Sequence, residues 1–207
     1  MTLGAVVAGV DVSRETLDAL RQFATLLTKW NPAINLVARS TLDDIWDRHI
    51  LDSAQLARFL FQQPKTWLDL GSGGGLPGVV LAVIARDVAP LTRFHLVDSD
   101  QRKCTFLRQA GRELGLKNVH VHSLRIEELP PMNADIVSAR ALSALSVLCR
   151  YAERHLATDG FAIFPKGAAF SNEVSEARAK WQFHIDEIES MTNKDARLLK
   201  LSAITHV

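Results

Sequence analysis

The sequence predicts an α/β protein: a mixed sheet with helices on both faces, preceded by a small N-terminal helical extension. Three observations predict it. From Lys65 onward, apolar runs of strand length alternate with segments of helical periodicity, the pattern of a parallel sheet covered on both sides. The first of these runs, Trp67-Leu68-Asp69-Leu70, passes directly into Gly71-Ser72-Gly73-Gly74-Gly75-Leu76-Pro77-Gly78, a glycine-rich turn ahead of an apolar helix. The last two runs, 182–189 and 196–207, have no helical pattern between them, so a terminal hairpin is expected on the sheet. With 207 residues, 47% of them hydrophobic, the chain is long enough for one sizeable core and an appendage.

The elements follow in order. Ser13 is placed to cap a helix running to about Trp30, with Leu17, Leu20, Phe23, Ala24 and Leu27 at helical spacing and Glu15 in the first turn. Asn31-Pro32 is expected to stop it. A second helix is predicted from Thr41 to Phe61, carrying Ile45, Ile50, Leu51, Ala54, Leu56, Ala57 and Leu60. Two helices cannot hide an apolar face alone, so residues 1–62 are expected to form an extension lying on the domain of residues 63–207, with the division near Gln62-Gln63-Pro64. Strands are then predicted at 66–70, 93–97, 118–122, 134–138 and 161–164, with helices starting at Pro77, Gln101, Ser143 and Phe170.

The glycine loop sets the chemistry. Glycines let the backbone turn tightly and approach a ligand closely, so the loop is a cradle for a nucleotide or nucleoside. Gly73, Gly75 and Gly78 satisfy the dinucleotide spacing G-x-G-x-x-G, which alone is weak evidence. Two carboxylates and a proline point elsewhere. Asp69 lies inside the incoming strand, suited to a cationic ligand, and Pro77 removes a donor that a pyrophosphate would need. Asp98 ends the next strand, placed for both ribose hydroxyls. This arrangement resembles the S-adenosylmethionine pocket of class I methyltransferases, whose sheet is Rossmann-like.

Ligands in open α/β sheets bind beyond the carboxyl ends of the strands. The candidates there are Ile126, to pack on an adenine face, Glu127, to accept from its exocyclic amine, and Arg140 and Lys166, two cations suited to phosphate or carboxylate. Phe164, at a strand end, is the aromatic to test for stacking on a target base. His49, Asp52 and Ser53 share a helical face and are read as a polar cluster tying their helix to the cofactor loop. His120 and His122 share a strand face without further ligands at metal spacing, so no metal is expected. Cys104 and Cys149 lie in apolar helical patterns and are expected to be buried free thiols.

Net charge is only +1, but its distribution is uneven: residues 101–125 hold six Lys/Arg against one acid, Glu113. Arg108 and Arg112, one turn apart, are the expected phosphate contacts there. The apolar start, Leu3 to Val10, is too short for a membrane span and a poor signal peptide, which places the protein in the cytoplasm with no membrane partner.

Trp30-Asn31 through Asn35-Leu36, Arg48-His49-Ile50-Leu51-Asp52-Ser53, Asp69-Leu70-Gly71, Gly75-Leu76-Pro77-Gly78, Leu96-Val97-Asp98-Ser99, Arg102-Lys103, Ser138-Ala139-Arg140-Ala141 and Lys166-Gly167 together resemble the ribosomal small-subunit RNA methyltransferase G family, formerly glucose-inhibited division protein B. The resemblance spans about residues 13–205 in the family's order. It implies methyl transfer from S-adenosylmethionine to N7 of a guanine in 16S rRNA, with the small ribosomal subunit or its precursor as partner. It also implies cofactor-binding positions at Gly71, Leu76, Ile126, Glu127 and Arg140. Guanine N7 is a neutral acceptor on the major-groove edge, so no strong general base is required. Two readings from other classes stay open at this point: a nicotinamide-dependent oxidoreductase, and a module that binds cofactor or RNA without catalysis.

Overall fold

The computed structural model describes residues 5–207, so Leu3 lies outside the described residues. A short hairpin, β1 (Ala5–Val7) and β2 (Val10–Val12), comes first among the described residues and buries Val7, Val10 and Val12. Helix α1 (Arg14–Ile34) follows. Its N-cap Ser13 accepts from the Thr16 N–H, and both its own N–H and its hydroxyl donate to Asp87.

The expected stop at Asn31-Pro32 is overturned. The helix contains Pro32 and ends at Asn35, in the left-handed conformation at φ 47°. The buried Asn31 instead turns its side-chain oxygen to the Val37 N–H at 2.8 Å.

A single regular helix over 41–61 is likewise not what forms. The segment breaks into a 3₁₀ turn (Arg39–Thr41), a π-turn (Trp46–Leu51), one α turn designated α2 (Asp52–Ala54) and a 3₁₀ stretch (Gln55–Gln62). The apolar spacing of five from Ile45 to Ile50 suits a π-turn rather than an α-helix. Both residues pack on the core.

The remaining elements are β3 (Thr66–Leu70), α3 (Gly78–Val88), β4 (Arg93–Asp98), α4 (Gln101–Glu113), β5 (Val119–Ser123), β6 (Ala134–Ala139), α5 (Leu145–His155), β7 (Leu156–Lys166), α6 (Phe170–Arg178), β8 (Trp181–Glu189) and β9 (Arg197–His206). The seven-stranded sheet has the order β5-β4-β3-β6-β7-β9-β8. Its first five strands in that order are parallel, and β9 and β8 are antiparallel, which is the predicted terminal hairpin on a mixed sheet.

One core joins the inner faces of β1–β2, α1, α3 and α4 to the sheet; a second packs α5 and α6 on the opposite face. Strands covered on both sides lose the alternation of buried and exposed residues. Hence Ala162, Ile163 and Phe164 are all fully buried, and Phe164, the stacking candidate, is a core residue. Trp67 stacks on Phe94 with centroids 6.0 Å apart. Cys104 and Cys149 are buried free thiols. No helix among the described residues is long and apolar enough to cross a membrane.

Candidate functional site

Strand order reverses at β3: the chain proceeds outward to β4 and β5, then returns to place β6 on the other side. Crevices form at the carboxyl ends of strands at such a switch point. Two cavities lie there.

The smaller, about 380 Å³, is lined by Gly71 after β3, Asp98 at the end of β4, Ile126 and Glu127 after β5, and Leu142 after β6. Asp98 already accepts two backbone N–H groups, from Gly73 to Oδ2 at 2.9 Å and from Asp100 to Oδ1 at 2.8 Å. A carboxylate has about four acceptor positions, so each oxygen keeps capacity for a hydroxyl. Glu127 Oε1 accepts from the Tyr151 hydroxyl, which holds the Glu127 carboxyl below its usual range and leaves Oε2 available. Gly71 sits at φ +62°, and a Cβ there would come within 2.5 Å of Leu142 Cδ1. A paired hydroxyl acceptor, a buried apolar surface at Ile126, a second carboxylate and a glycine wall fit a ribonucleoside cofactor, and the volume lies within the usual range for such sites, about 300–1,000 Å³.

The larger cleft, about 1550 Å³, is lined by Arg48, His49, Asp52, Arg140, Lys166 and the turn from Ser190 to Leu198, among others. Ala141 and Leu142 line both cavities and form the septum between them.

Several sequence-predicted residues stand elsewhere than expected. Asp69 is wholly buried and does not line the cofactor cavity. Its Oδ1 accepts from Ser138 Oγ at 2.7 Å and its Oδ2 from the Gly78 N–H at 3.3 Å, so it joins β3, β6 and the start of α3. Burial pushes its carboxyl up to about 6, with the Ser138, Ser72 and Gly78 hydrogen bonds and the Arg140 charge opposing the rise. Gly73, Gly75 and Leu76 shape the loop without lining the cavity, and Leu76 packs into the core. Pro77 follows a cis peptide bond and stands at the N-cap of α3.

Arg140 lies in the larger cleft, not in the cofactor cavity, because Asp52 and His49 draw its guanidinium toward the N-terminal segment. The His49–Asp52 pair thus serves Arg140 rather than the cofactor loop, while the buried Ser53 hydroxyl has no hydrogen-bond partner. Lys166 also faces the larger cleft, but its ammonium is held by Glu173 and the Ser143 carbonyl, each at 2.7 Å. Arg108 and Arg112 line neither cavity; Arg112 donates to Gln109 and Arg108 to the Val121 carbonyl. His95 joins His122 in a hydrogen bond and stacks on His120, yet no group of three or more metal-ligating residues among those described could hold an ion.

Sequence reasoning missed Leu142, Tyr151, Gln55 and Thr192. Tyr151, the single tyrosine of the chain, offered a composition signal; Leu142, four residues past the β6 register of Ser138, offered a positional one. For Thr192, which meets Asp52 across 140 positions, there was none.

The family model described as rRNA small subunit methyltransferase G matches residues 16–201. The chain belongs to this family. Members carrying the name Ribosomal RNA small subunit methyltransferase G include proteins of Cereibacter sphaeroides, 53% identical over 98% of both chains, and Ruegeria pomeroyi, 50% identical over 96% of both. A third, from Paracoccus denitrificans, is 46% identical over 95% of this chain and all of its own length.

Solved structures show the same fold at low identity. A methyltransferase from Geobacter sulfurreducens aligns with TM-score 0.57 and 18% identity over 93% of this chain and 90% of that one. Aeropyrum pernix fibrillarin, solved with natively bound S-adenosyl-L-methionine, aligns with TM-score 0.58 and 15% identity over 75% of each. The architecture of this methyltransferase G family member is therefore the class I, Rossmann-like one. The oxidoreductase alternative is set aside by the family, and so is a purely non-catalytic role.

Proposed function

We propose that this methyltransferase transfers a methyl group from S-adenosylmethionine to N7 of a guanine in 16S rRNA, in the decoding-centre loop of the small ribosomal subunit or its precursor. The chain is an S-adenosylmethionine-dependent rRNA methyltransferase; the base, the atom and the assembly state are the finer part of the reading. The observation that carries it is the shared septum: a nucleoside-sized cavity and a large cleft meet at Ala141–Leu142, so two ligands can face each other there.

When bound, S-adenosylmethionine supplies an electrophilic methyl group on a sulfonium. The protein's task is to hold and orient. Asp98 would accept from the ribose hydroxyls, Ile126 would back the adenine, and Glu127 Oε2 would accept from the exocyclic amine. Gly71 keeps one wall free of side chain. Guanine N7 has a free lone pair and carries no proton, so no residue of the chain need act as a base before it accepts the methyl group. Orientation of two bound reactants can contribute up to about 7–11 kcal/mol to a barrier. The residues that end and follow β6, Ser138-Ala139-Arg140-Ala141, lack the Asn/Asp-Pro-Pro-Tyr/Phe run found in methyltransferases of exocyclic amines, which supports N7 as the target. Arg140 and Lys166 are the cations proposed to face the RNA side.

Labelled methyl transfer to naked 16S rRNA, isolated small subunits and intact ribosomes tests the substrate. Transfer to at least one of them, on a single guanine, is expected; transfer to none contradicts the proposal.

A further inference from the structure

One carboxylate in the large cleft gathers parts of the chain that are remote in sequence. Asp52 Oδ2 accepts from Arg140 Nη1 at 2.8 Å. Its Oδ1 accepts from Thr192 Oγ1 at 2.7 Å and from Gln55 Nε2 at 3.0 Å. Arg140 follows β6, and Thr192 lies in the turn between β8 and β9. The N-terminal segment, the sheet and the terminal hairpin therefore meet on a single side chain.

His49 adds a second constraint. A guanidinium has donors and no acceptor, so the Arg140 Nη2 contact at 2.9 Å requires His49 Nδ1 to be the acceptor. The ring proton then sits on Nε2 and is donated to Thr41 Oγ1 at 2.7 Å, whose own hydroxyl goes to the Ala38 carbonyl at 2.7 Å. The Arg48 carbonyl takes a further hydrogen of Nη1 at 3.3 Å. These contacts fix the plane of the guanidinium while leaving Nε–H and one Nη2–H uncommitted.

The consequence reaches the septum. Ala141, next in the chain, holds φ 52°, a left-handed conformation that alanine adopts only under constraint. Leu142 then lies against Gly71, within the wall of the cofactor cavity.

We propose that Asp52, assisted by His49, is a positioning residue for methyl transfer: it holds Arg140, and through it the Ala141–Leu142 septum, in the geometry that lets the two bound reactants meet. The proposal rests on the methyltransferase reading given above. Asp52 itself does not line the cofactor cavity. Its loss should therefore slow transfer between bound reactants and leave cofactor binding intact.

The test is a double-mutant cycle of Asp52→Asn and Arg140→Ala, read by single-turnover transfer with cofactor and RNA saturating, by cofactor calorimetry and by melting temperature. The expected rate for Asp52→Asn is lower by about tenfold or more, its cofactor dissociation constant within about twofold of wild type, and its effect absent in the Arg140→Ala background. A bare structural staple would lower the melting temperature and leave the saturated rate of the folded protein unchanged; that result overturns the proposal. A full additive loss in the Arg140→Ala background overturns it too. Should Asp52→Asn fail to fold, His49→Leu, which removes the Nδ1 acceptor, enters the same cycle with the same expectations. A wild-type protein inactive on every rRNA substrate would refute the functional reading instead, and melting temperatures of the same variants would still decide whether Asp52 and Arg140 are coupled.

Discussion

At the residue scale, Asp98 does two things at once. It ends β4 inside the smaller cavity, the one proposed to hold the cofactor, and pins the glycine loop through the Gly73 N–H. Asp98→Ala removes both the hydroxyl acceptor and the pin, so cofactor affinity should fall by about 1.5–3 kcal/mol, the range for hydrogen bonds to a charged group. Calorimetry checks this, and unchanged affinity would take Asp98 out of the site. Two further groups make opposing contributions to stability as pH changes. Burial, the Arg140 charge and the Arg48 charge lower His49 from 6.5 to about 4, with Asp52 acting the other way. The unfolded chain therefore takes up this proton first, and the stability due to neutral His49 is present above 6.5 and lost as pH falls toward 4. Asp69 runs in reverse: its folded value is raised from 3.8 to about 6, so its contribution is present below 3.8 and lost as pH rises through 6. Because the two partly cancel between pH 4 and 6, Asp69→Asn should make the melting temperature fall more steeply on acidification from pH 6.5 than in the wild type. Parallel pH profiles for the two proteins would contradict it.

At the element scale, the glycine loop is shaped as much by packing as by ligand. A Cβ on Gly78 would stand 2.3 Å from Leu96 Cδ2 and 2.8 Å from Asp69 Oδ2, which presses α3 against β3 and β4. Gly78→Ala is expected to cost about 1–3 kcal/mol of stability, as overpacking of a filled core does, measured by denaturant unfolding. This is also where the limits of legibility lie. Strands β3, β4 and β6 could be read because covered strands are apolar runs, β5 because valine alternates with a polar residue on an edge strand, and the place of Asp98 in the smaller cavity because a strand end at a switch point opens on a crevice. The end of α1 was misread because Pro32 is accommodated within the final turns and the terminating residue is Asn35, a left-handed C-cap. The segment 39–62 was misread because an amphipathic pattern does not separate α from π and 3₁₀ turns, although the Ile45–Ile50 spacing held the clue. Phe164 was misplaced by assuming that a strand end is an exposed one.

At the scale of the whole molecule, the site is assembled from both ends of the chain around the middle of the sheet. The lining of the smaller cavity could be read because its residues follow successive strands. The clamp on Arg140 could not, because Asp52, Arg140 and Thr192 are brought together only by folding, across 88 and 140 positions. Charge follows the same logic. The basic run on α4 is dense in sequence, yet Arg108 and Arg112 line neither cavity, whereas Arg48 and Lys194 are exposed on the large cleft and form no ion pair among the described residues. Neutralising Arg48 and Lys194 should reduce the salt dependence of RNA binding by about 0.7 in log–log slope for each lost contact, with cofactor affinity unchanged. The same change at Arg108 and Arg112 should leave the slope as it is. Slopes altered only by the α4 pair would move the RNA surface to that helix.

The central test is chemical mapping of the modified nucleotide after transfer of a labelled methyl group to small-subunit rRNA. N7-methylguanine carries a fixed positive charge that weakens the glycosidic bond, so reduction followed by mild base cleaves the RNA strand at that nucleotide alone. Label incorporation together with cleavage at one guanine is the predicted result. Label that resists this cleavage, or that resides on an exocyclic amine or a ribose oxygen, would contradict methylation at N7.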